Sequence, residues 1–206
     1  MVFTVAEDGI VLEGAVFAPA GGQGSSVPIV WMHGLASHFY TPPVITLGRH
    51  VAGRGHTFIA ANNRGHDLGA VLYTPQGKIV LGGGGWEAFD ACPRDIAAWV
   101  AFAAKVGQGS VVLAGHSLGA LKVGYYLGLR QDTRVIGLVA ASAPCNAHHH
   151  KPESVSLAEA IVAEGRGREL LPLGASQAGV GTISAQTLLN RVQTETDAWS
   201  DEREAV

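Results

Sequence analysis

The sequence predicts an α/β fold in which a mostly parallel sheet carries helices on both faces. Three observations lead there. Residues 27–32, 57–61, 110–114 and 135–140 are short, nearly continuous apolar runs, the pattern of strands buried on both faces. Segments with helical apolar spacing separate most of them, as in βαβ units. The first three runs lead into His33-Gly34, Asn62-Asn63-Arg64-Gly65 and Gly115-His116-Ser117, and open α/β sheets bind ligands beyond the C-terminal ends of their strands.

Residues 2–5 and 10–17 read as two strands around Glu7-Asp8-Gly9, because Asp-Gly between alternating apolar residues signals a hairpin. A Gly/Pro/Ser-rich loop over 18–26 leads into the first buried-type strand, 27–32. Pro42 and Pro43 open a helix to about Ala52, since proline is tolerated in a first turn, and Gly53 and Gly55 end it. The 57–61 strand is followed by a long connection, 68–85, closing on four glycines, Gly82 to Gly85. This tract lacks the Lys-Ser/Thr of a phosphate loop and reads as a flexible loop. Residues 86–106 are helical, with Phe89, Ile96, Val100 and Ala104 at helical spacing; Pro93 moves the start to near Cys92. After the 110–114 strand comes a helix over 117–129 with Leu121, Tyr125 and Leu129 on one face, then a fourth buried-type strand, 135–140. Beyond Ala141 the pattern changes to polar loops with two helices, 155–164 and 182–194, and no further buried strand.

A chain of 206 residues can bury one sizeable core but not two full domains. A hydrophobic share of 47% against 15% charged excludes a disordered chain. Net charge is −3 with both signs scattered, so no basic face for nucleic acid or a membrane surface is expected. The longest apolar run, 96–104, is too short to span a bilayer, and residues 1–9 lack the basic start and apolar stretch of a signal peptide. Cys92 and Cys145 are far apart without metal-type spacing, which fits a reduced cytoplasmic protein. His148-His149-His150 has no carboxylate or thiol at ligand spacing and reads as a solvated loop. No metal or other cofactor is expected, and the partner expected is a small-molecule substrate.

Gly115-His116-Ser117-Leu118-Gly119 matches G-x-S-x-G. In that pattern a serine stands on a sharp turn between strand and helix, with small residues two places either side letting both approach. In a chain with 28 glycines it arises by chance about 0.2 times, so context must discriminate. Here it follows a strand signal and opens a helix signal, as the mechanics require. His33-Gly34-Leu35 ends an earlier strand, where an N–H could join that of Leu118 in an oxyanion hole. His116 reads as a packing residue directed away from Ser117, because adjacent residues on a strand end alternate faces. Trp31, Trp86, Trp99 and Trp199 read as core or lid packing.

Val30-Trp31-Met32-His33-Gly34-Leu35, Asn63-Arg64-Gly65-His66-Asp67 and Leu113-Ala114-Gly115-His116-Ser117-Leu118-Gly119 together resemble the α/β-hydrolase superfamily. Val139-Ala140-Ala141-Ser142-Ala143-Pro144 looks like the strand that precedes its lid. The resemblance covers residues 1–145, the N-terminal part of a hydrolase core, and leaves 146–206 as a lid-like helical segment. It implies Ser117 as nucleophile and the backbone N–H groups of Leu118 and Leu35 as the oxyanion hole. Arg64-Gly65 matches the superfamily's R-G turn, but Asp67 stands where glycine is usual, and neither Arg64 nor Asp67 is given a catalytic role. The function implied is hydrolysis of an ester-type substrate. C–C cleavage or lyase chemistry, or a non-catalytic relative, stay open as alternatives.

The superfamily's order is serine, acid, histidine. Downstream of Ser117 the histidines are His148, His149 and His150, ahead of acids such as Glu153 and Asp197, and no late strand is visible. The sequence therefore reads as C-terminally incomplete. The alternatives are that another chain supplies the missing groups, or that the triad is absent. A sheet ending at 135–140 would expose an edge, so self-association or a complementing chain is expected.

Overall fold

A computed structural model describes residues 1–21, 27–144, 150–175 and 182–198; Cys145, His148, His149, Trp199 and residues 22–26 of the first loop lie outside them. The main sheet has six strands: β1 (Val2–Val5), β2 (Val11–Phe17), β3 (Ile29–Met32), β4 (Phe58–Ala61), β7 (Val111–His116) and β8 (Val135–Ala141). Their order is β1-β2-β4-β3-β7-β8. The β4–β3, β3–β7 and β7–β8 pairs are parallel, whereas β1–β2 and β2–β4 are antiparallel. The expected hairpin joins β1 to β2, closed by Gly9 N–H donating to the Ala6 carbonyl at 2.8 Å with Gly9 at φ 87°.

Helix α1 (Pro42–Gly53) packs on one face of the sheet and α2 (Cys92–Val106) and α3 (Leu118–Arg130) on the other. The alternation of side chains along each strand sorts the two cores. Val30, Met32, Ile59 and Ala61 meet Ile96, Trp99, Val123 and Tyr126 of α2 and α3, while Phe58 and Ala60 meet Val44 of α1. Pro93 sits in the first turn of α2, which starts at Cys92 behind a short 3₁₀ turn, Phe89–Ala91.

Four sequence expectations are corrected. The 68–85 connection contains a hairpin of its own, β5 (Ala70–Tyr73) and β6 (Ile79–Gly82), pairing Val71 with Leu81 and Tyr73 with Ile79. Its strands are short and its turn, Thr74 to Lys78, has Gly77 at φ 79°. The glycine tract is buried and pressed against its surroundings: a Cβ at Gly84 would lie 3.0 Å from the Ala36 nitrogen. On α3 the buried face is Leu118, Gly119, Lys122, Val123 and Tyr126, whereas Leu129 is 45% exposed. The apolar spacing of Leu121, Tyr125 and Leu129 was outweighed by small residues and a lysine on the face that meets the sheet. Finally, β8 is not buried. It ends the sheet, with Ile136, Leu138 and Val139 about half exposed or more. An apolar run signals burial only when another element covers it, and none of the described strands pairs with the outer edge of β8.

The segment after Ser142 forms α4 (Pro152–Ala163) and α5 (Ala185–Ala198), near the expected spans. Ser184 Oγ accepts the Thr187 N–H at 3.2 Å, an N-cap that sets the start of α5. Ala158, Leu171, Ile183, Ala185 and Leu188 make a small second core here. It is tied to the main body where Ser184 N–H donates to the Gly85 carbonyl at 2.7 Å and Phe89 N–H to Asn190 Oδ1 at 2.6 Å. Among the described residues, no helix is long and apolar enough to cross a membrane.

Candidate active site

The parallel register pairs Met32 of β3 with Gly115 of β7, so His33-Gly34 and His116-Ser117 leave the sheet side by side. The helices that follow go to opposite faces, which opens a crevice at this strand boundary. Ser117 links β7 to α3 with φ 54° and ψ −125°, a region costing a non-glycine residue roughly 1–3 kcal/mol. Its neighbours hold it there. The Ser117 N–H donates to the Ala141 carbonyl at the end of β8 at 2.9 Å, and the Ser117 carbonyl accepts the Ala120 N–H at 2.9 Å.

The flanking glycines are sterically required. A Cβ at Gly115 would lie 2.5 Å from the Gly119 carbonyl carbon, and one at Gly119 would lie 2.5 Å from the His33 carbonyl oxygen. Across the crevice a Cβ at Gly34 would lie 3.3 Å from the His116 carbonyl oxygen. Ser117 itself is partly exposed. Neither the Leu35 N–H nor the Leu118 N–H donates to another described group.

The Gly34-Leu35-Ala36-Ser37 turn is closed by Ser37 N–H donating to the Gly34 carbonyl at 3.3 Å, with Ala36 at φ 50°. The same carbonyl takes a bond from His33 Nδ1 at 2.8 Å. His33 is fully buried, and burial, with the nearby Lys122 ammonium second, pushes its imidazole down to about 3. It is therefore neutral, with the proton on Nδ1. Its Nε2 accepts from the Asn63 side-chain amide at 3.3 Å and, more weakly, from the Asn63 backbone N–H at 3.4 Å. Asn63 Oδ1 accepts Lys122 Nζ at 3.0 Å and the Gly65 N–H at 2.9 Å. Lys122 Nζ also donates to Glu87, whose side chain is wholly buried. Arg191 Nη2 of α5 stands 3.7 Å from the other Glu87 oxygen.

Arg64 faces away from this chain of groups. Its guanidinium holds the buried Asp95 from both Nε and Nη2, the latter at 2.6 Å, and reaches Asp8 at 2.9 Å. Burial raises the Asp95 carboxyl, and the Arg64 bonds oppose that shift. Asp67, at φ 55°, accepts from Tyr40 at 3.2 Å and pairs with His66 at 2.8 Å. His116 is exposed and stacked on Trp31, ring centres 6.4 Å apart. It packs on one neighbour rather than lying within the core. Trp99 is in the core, and the Trp86 indole donates to the Arg168 carbonyl at 2.9 Å.

The structure thus brings Ser117, Gly34 and the glycines of the motif together. Sequence reading did not single out His33 as a side chain, nor Asn63, Glu87 or Lys122. One signal was present: Lys122 stands five residues after Ser117 among the apolar and small residues of the helix.

The family model described as serine aminopeptidase, S33 (Hydrolase_4) matches residues 26–198. A search of curated proteins finds no match. Among solved structures, Est1E from Butyrivibrio proteoclasticus, determined with ferulic acid bound, superposes with a TM-score of 0.64 at 17% identity, over 93% of this chain and 71% of Est1E. A monoacylglycerol lipase of Paleococcus ferrophilus gives 0.61 at 21%, over 90% and 72%. A monoglyceride lipase of Saccharomyces cerevisiae gives 0.63 at 15%, over 97% and 69%. At these identities the structures establish the fold. With the family match spanning most of the chain, they complete the assignment: this chain belongs to the serine aminopeptidase S33 family of the α/β-hydrolase superfamily.

Proposed function

We propose that this chain is a serine hydrolase for ester-type small-molecule substrates, with Ser117 as nucleophile and the Leu118 and Leu35 N–H groups as oxyanion hole. The observation that carries the reading is the left-handed backbone of Ser117, a non-glycine residue gripped between glycines at the head of a helix. Strain of this kind persists only where the surroundings over-determine it, and it clusters at sites of chemistry. The neighbouring structures include two lipases of monoacylglycerol type beside Est1E with ferulic acid bound, which favours ester over amide substrates.

In the reaction, Ser117 Oγ bonds to the substrate carbonyl carbon while its proton passes to a base. The carbonyl π electrons move onto oxygen, and the two free N–H groups bind that oxyanion. Collapse expels the alcohol, which takes up the proton, and water repeats the sequence on the acyl-serine to release the acid. The base and its orienting acid are assigned to no described residue. The helical segment after Ser142 would act as a lid over the strand ends. The uncovered edge of β8 would take a further strand from a second copy or a complementing chain.

A fluorophosphonate probe tests the central assignment. Labelling of the wild-type chain that disappears in Ser117→Ala, together with loss of p-nitrophenyl ester turnover, is expected. Ester turnover or labelling that survives Ser117→Ala would overturn it.

A further inference from the structure

The groups behind the Gly34–Leu35 loop form a continuous buried chain from α3 to that loop: Glu87, Lys122, Asn63, His33 and the Gly34 carbonyl. Each link has only one workable polarity. An ammonium only donates, so the Asn63 atom facing Lys122 is the oxygen, and the Gly65 N–H on the same atom agrees. The Asn63 NH₂ must then face His33, so the His33 Nε2 in front of it is an acceptor. A neutral imidazole with an acceptor Nε2 carries its proton on Nδ1, and Nδ1 lies 2.8 Å from the Gly34 carbonyl oxygen.

The Gly34 carbonyl and the Leu35 N–H belong to one peptide plane. In a trans peptide they point in opposite directions. Holding the carbonyl on His33 therefore turns the Leu35 N–H to the other side. Gly34 itself lies against Ser117. We propose that the buried Glu87–Lys122 pair positions the catalytic loop: through Asn63 it sets the His33 tautomer, and His33 in turn fixes the plane of the Gly34–Leu35 peptide. Lys122 rides on the helix that begins at Ser117, so one rigid element orients both the nucleophile and, at second hand, the facing amide. The catalytic meaning of the network rests on the Ser117 assignment; its geometry does not.

A buried ion pair is weak evidence for stability, since desolvation offsets its attraction, and fixing one conformation is a better-attested use. The burial here fits that use. The Lys122 and Glu87 side chains are 1% and 0% exposed, and the Glu87 carboxylate presses on Gly65, where no Cβ would fit.

Two-bond ¹H–¹⁵N correlation NMR of the histidine rings in the 206-residue chain reads the tautomer directly. Wild-type His33 should be wholly the Nδ1–H form at neutral pH. Asn63→Asp keeps size and the Lys122 partner but can only accept toward His33, so it should convert His33 to the Nε2–H form or the imidazolium and shift the Leu35 amide signal. Lys122→Met should give a mixture of tautomers. In both variants the fluorophosphonate labelling rate should drop at least tenfold, while Ser117→Ala leaves the tautomer unchanged. The proposal is overturned by an Nε2–H His33 in the wild type, or by Asn63→Asp leaving both the tautomer and the Leu35 amide unmoved. Should Lys122→Met fail to fold, the wild-type and Asn63→Asp spectra decide alone. A wild-type chain that shows the expected tautomers but takes no label counts against the Ser117 assignment and leaves the tautomer control standing.

Discussion

Gly34 and Ser117 pack so closely that a Cβ built on Gly34 would lie 3.1 Å from the Ser117 Cβ and 3.5 Å from its Oγ. The gap is too small for a methyl at rest but large enough for the loop to yield. Gly34→Ala should therefore push the Leu35 peptide off its position. Ester turnover should fall by about 100-fold, the scale of a misplacement of about 1 Å and the low end of a lost oxyanion donor, with thermal stability little changed. Steady-state kinetics beside a melting curve checks both halves.

Ser117 sits in a conformation that glycine adopts at no steric cost. Ser117→Gly should abolish turnover yet leave the protein as stable as wild type or about 1 kcal/mol more stable, because relief of backbone strain offsets the glycine's added unfolded-state entropy. Urea titrations of the two proteins compare them. Gly119→Ala should behave oppositely. Its Cβ would strike the Met32 and His33 carbonyls, both backbone, so a loss of about 3 kcal/mol or more is expected.

Arg64 has two carboxylate partners of unequal burial. Asp95 has 0% side-chain exposure and Asp8 27%. Removing Asp95 takes away the buried partner, leaves the largely buried guanidinium to the partly exposed Asp8 and should cost about 3 kcal/mol, whereas Asp8→Ala should cost less than about 1 kcal/mol. Chemical denaturation distinguishes them, and similar losses for both would contradict this account.

His33 is lowered from 6.5 to about 3 by burial, so the unfolded chain binds a proton over that interval while the folded chain does not. Stability should therefore fall as pH drops below 6.5, by up to about 1.4 kcal/mol per pH unit. The Asp8 carboxyl, held below its ordinary 3.8, adds loss only at lower pH, whereas the Asp95 carboxyl, raised by burial, gains stability as pH falls toward 3.8, so between pH 4 and 6.5 the slope is the His33 loss less the Asp95 gain. Unfolding free energies measured across that range should show the slope, and His33→Gln should remove the loss.

The outer edge of β8 leaves Ile136 at 61% exposure and Val139 at 50%. Self-association is expected, and Val139→Lys should reduce it, since a charge on an edge strand opposes further pairing. Light scattering measures both, and a highly soluble monomeric wild type would count against the edge as a docking site.

The order of strands and helices was legible in the sequence because apolar periodicity and punctuation by Gly and Pro are local signals. The 115–119 motif was legible for the same reason: its glycines stand two places either side of Ser117, and each proved too crowded to bear a side chain. The β5–β6 hairpin escaped because two four-residue strands around Thr74 to Lys78 scarcely rise above a polar connection. The buried face of α3 escaped because small residues and Lys122 cover it, and periodicity counts large apolar residues.

Local pattern, then, determined most of the strands, the helices and the turn that displays Ser117, since each depends on residues only a few places apart, whereas the pairing order of the strands joins residues far apart in sequence. The company kept by that turn was decided in three dimensions. His33, Asn63, Glu87 and Lys122 come from four separate stretches, and a lysine in a helix gives no sign of which carboxylate will meet it. Burial made the difference: a charge removed from water must find its partner across the core, and that choice is set by packing rather than by spacing along the chain.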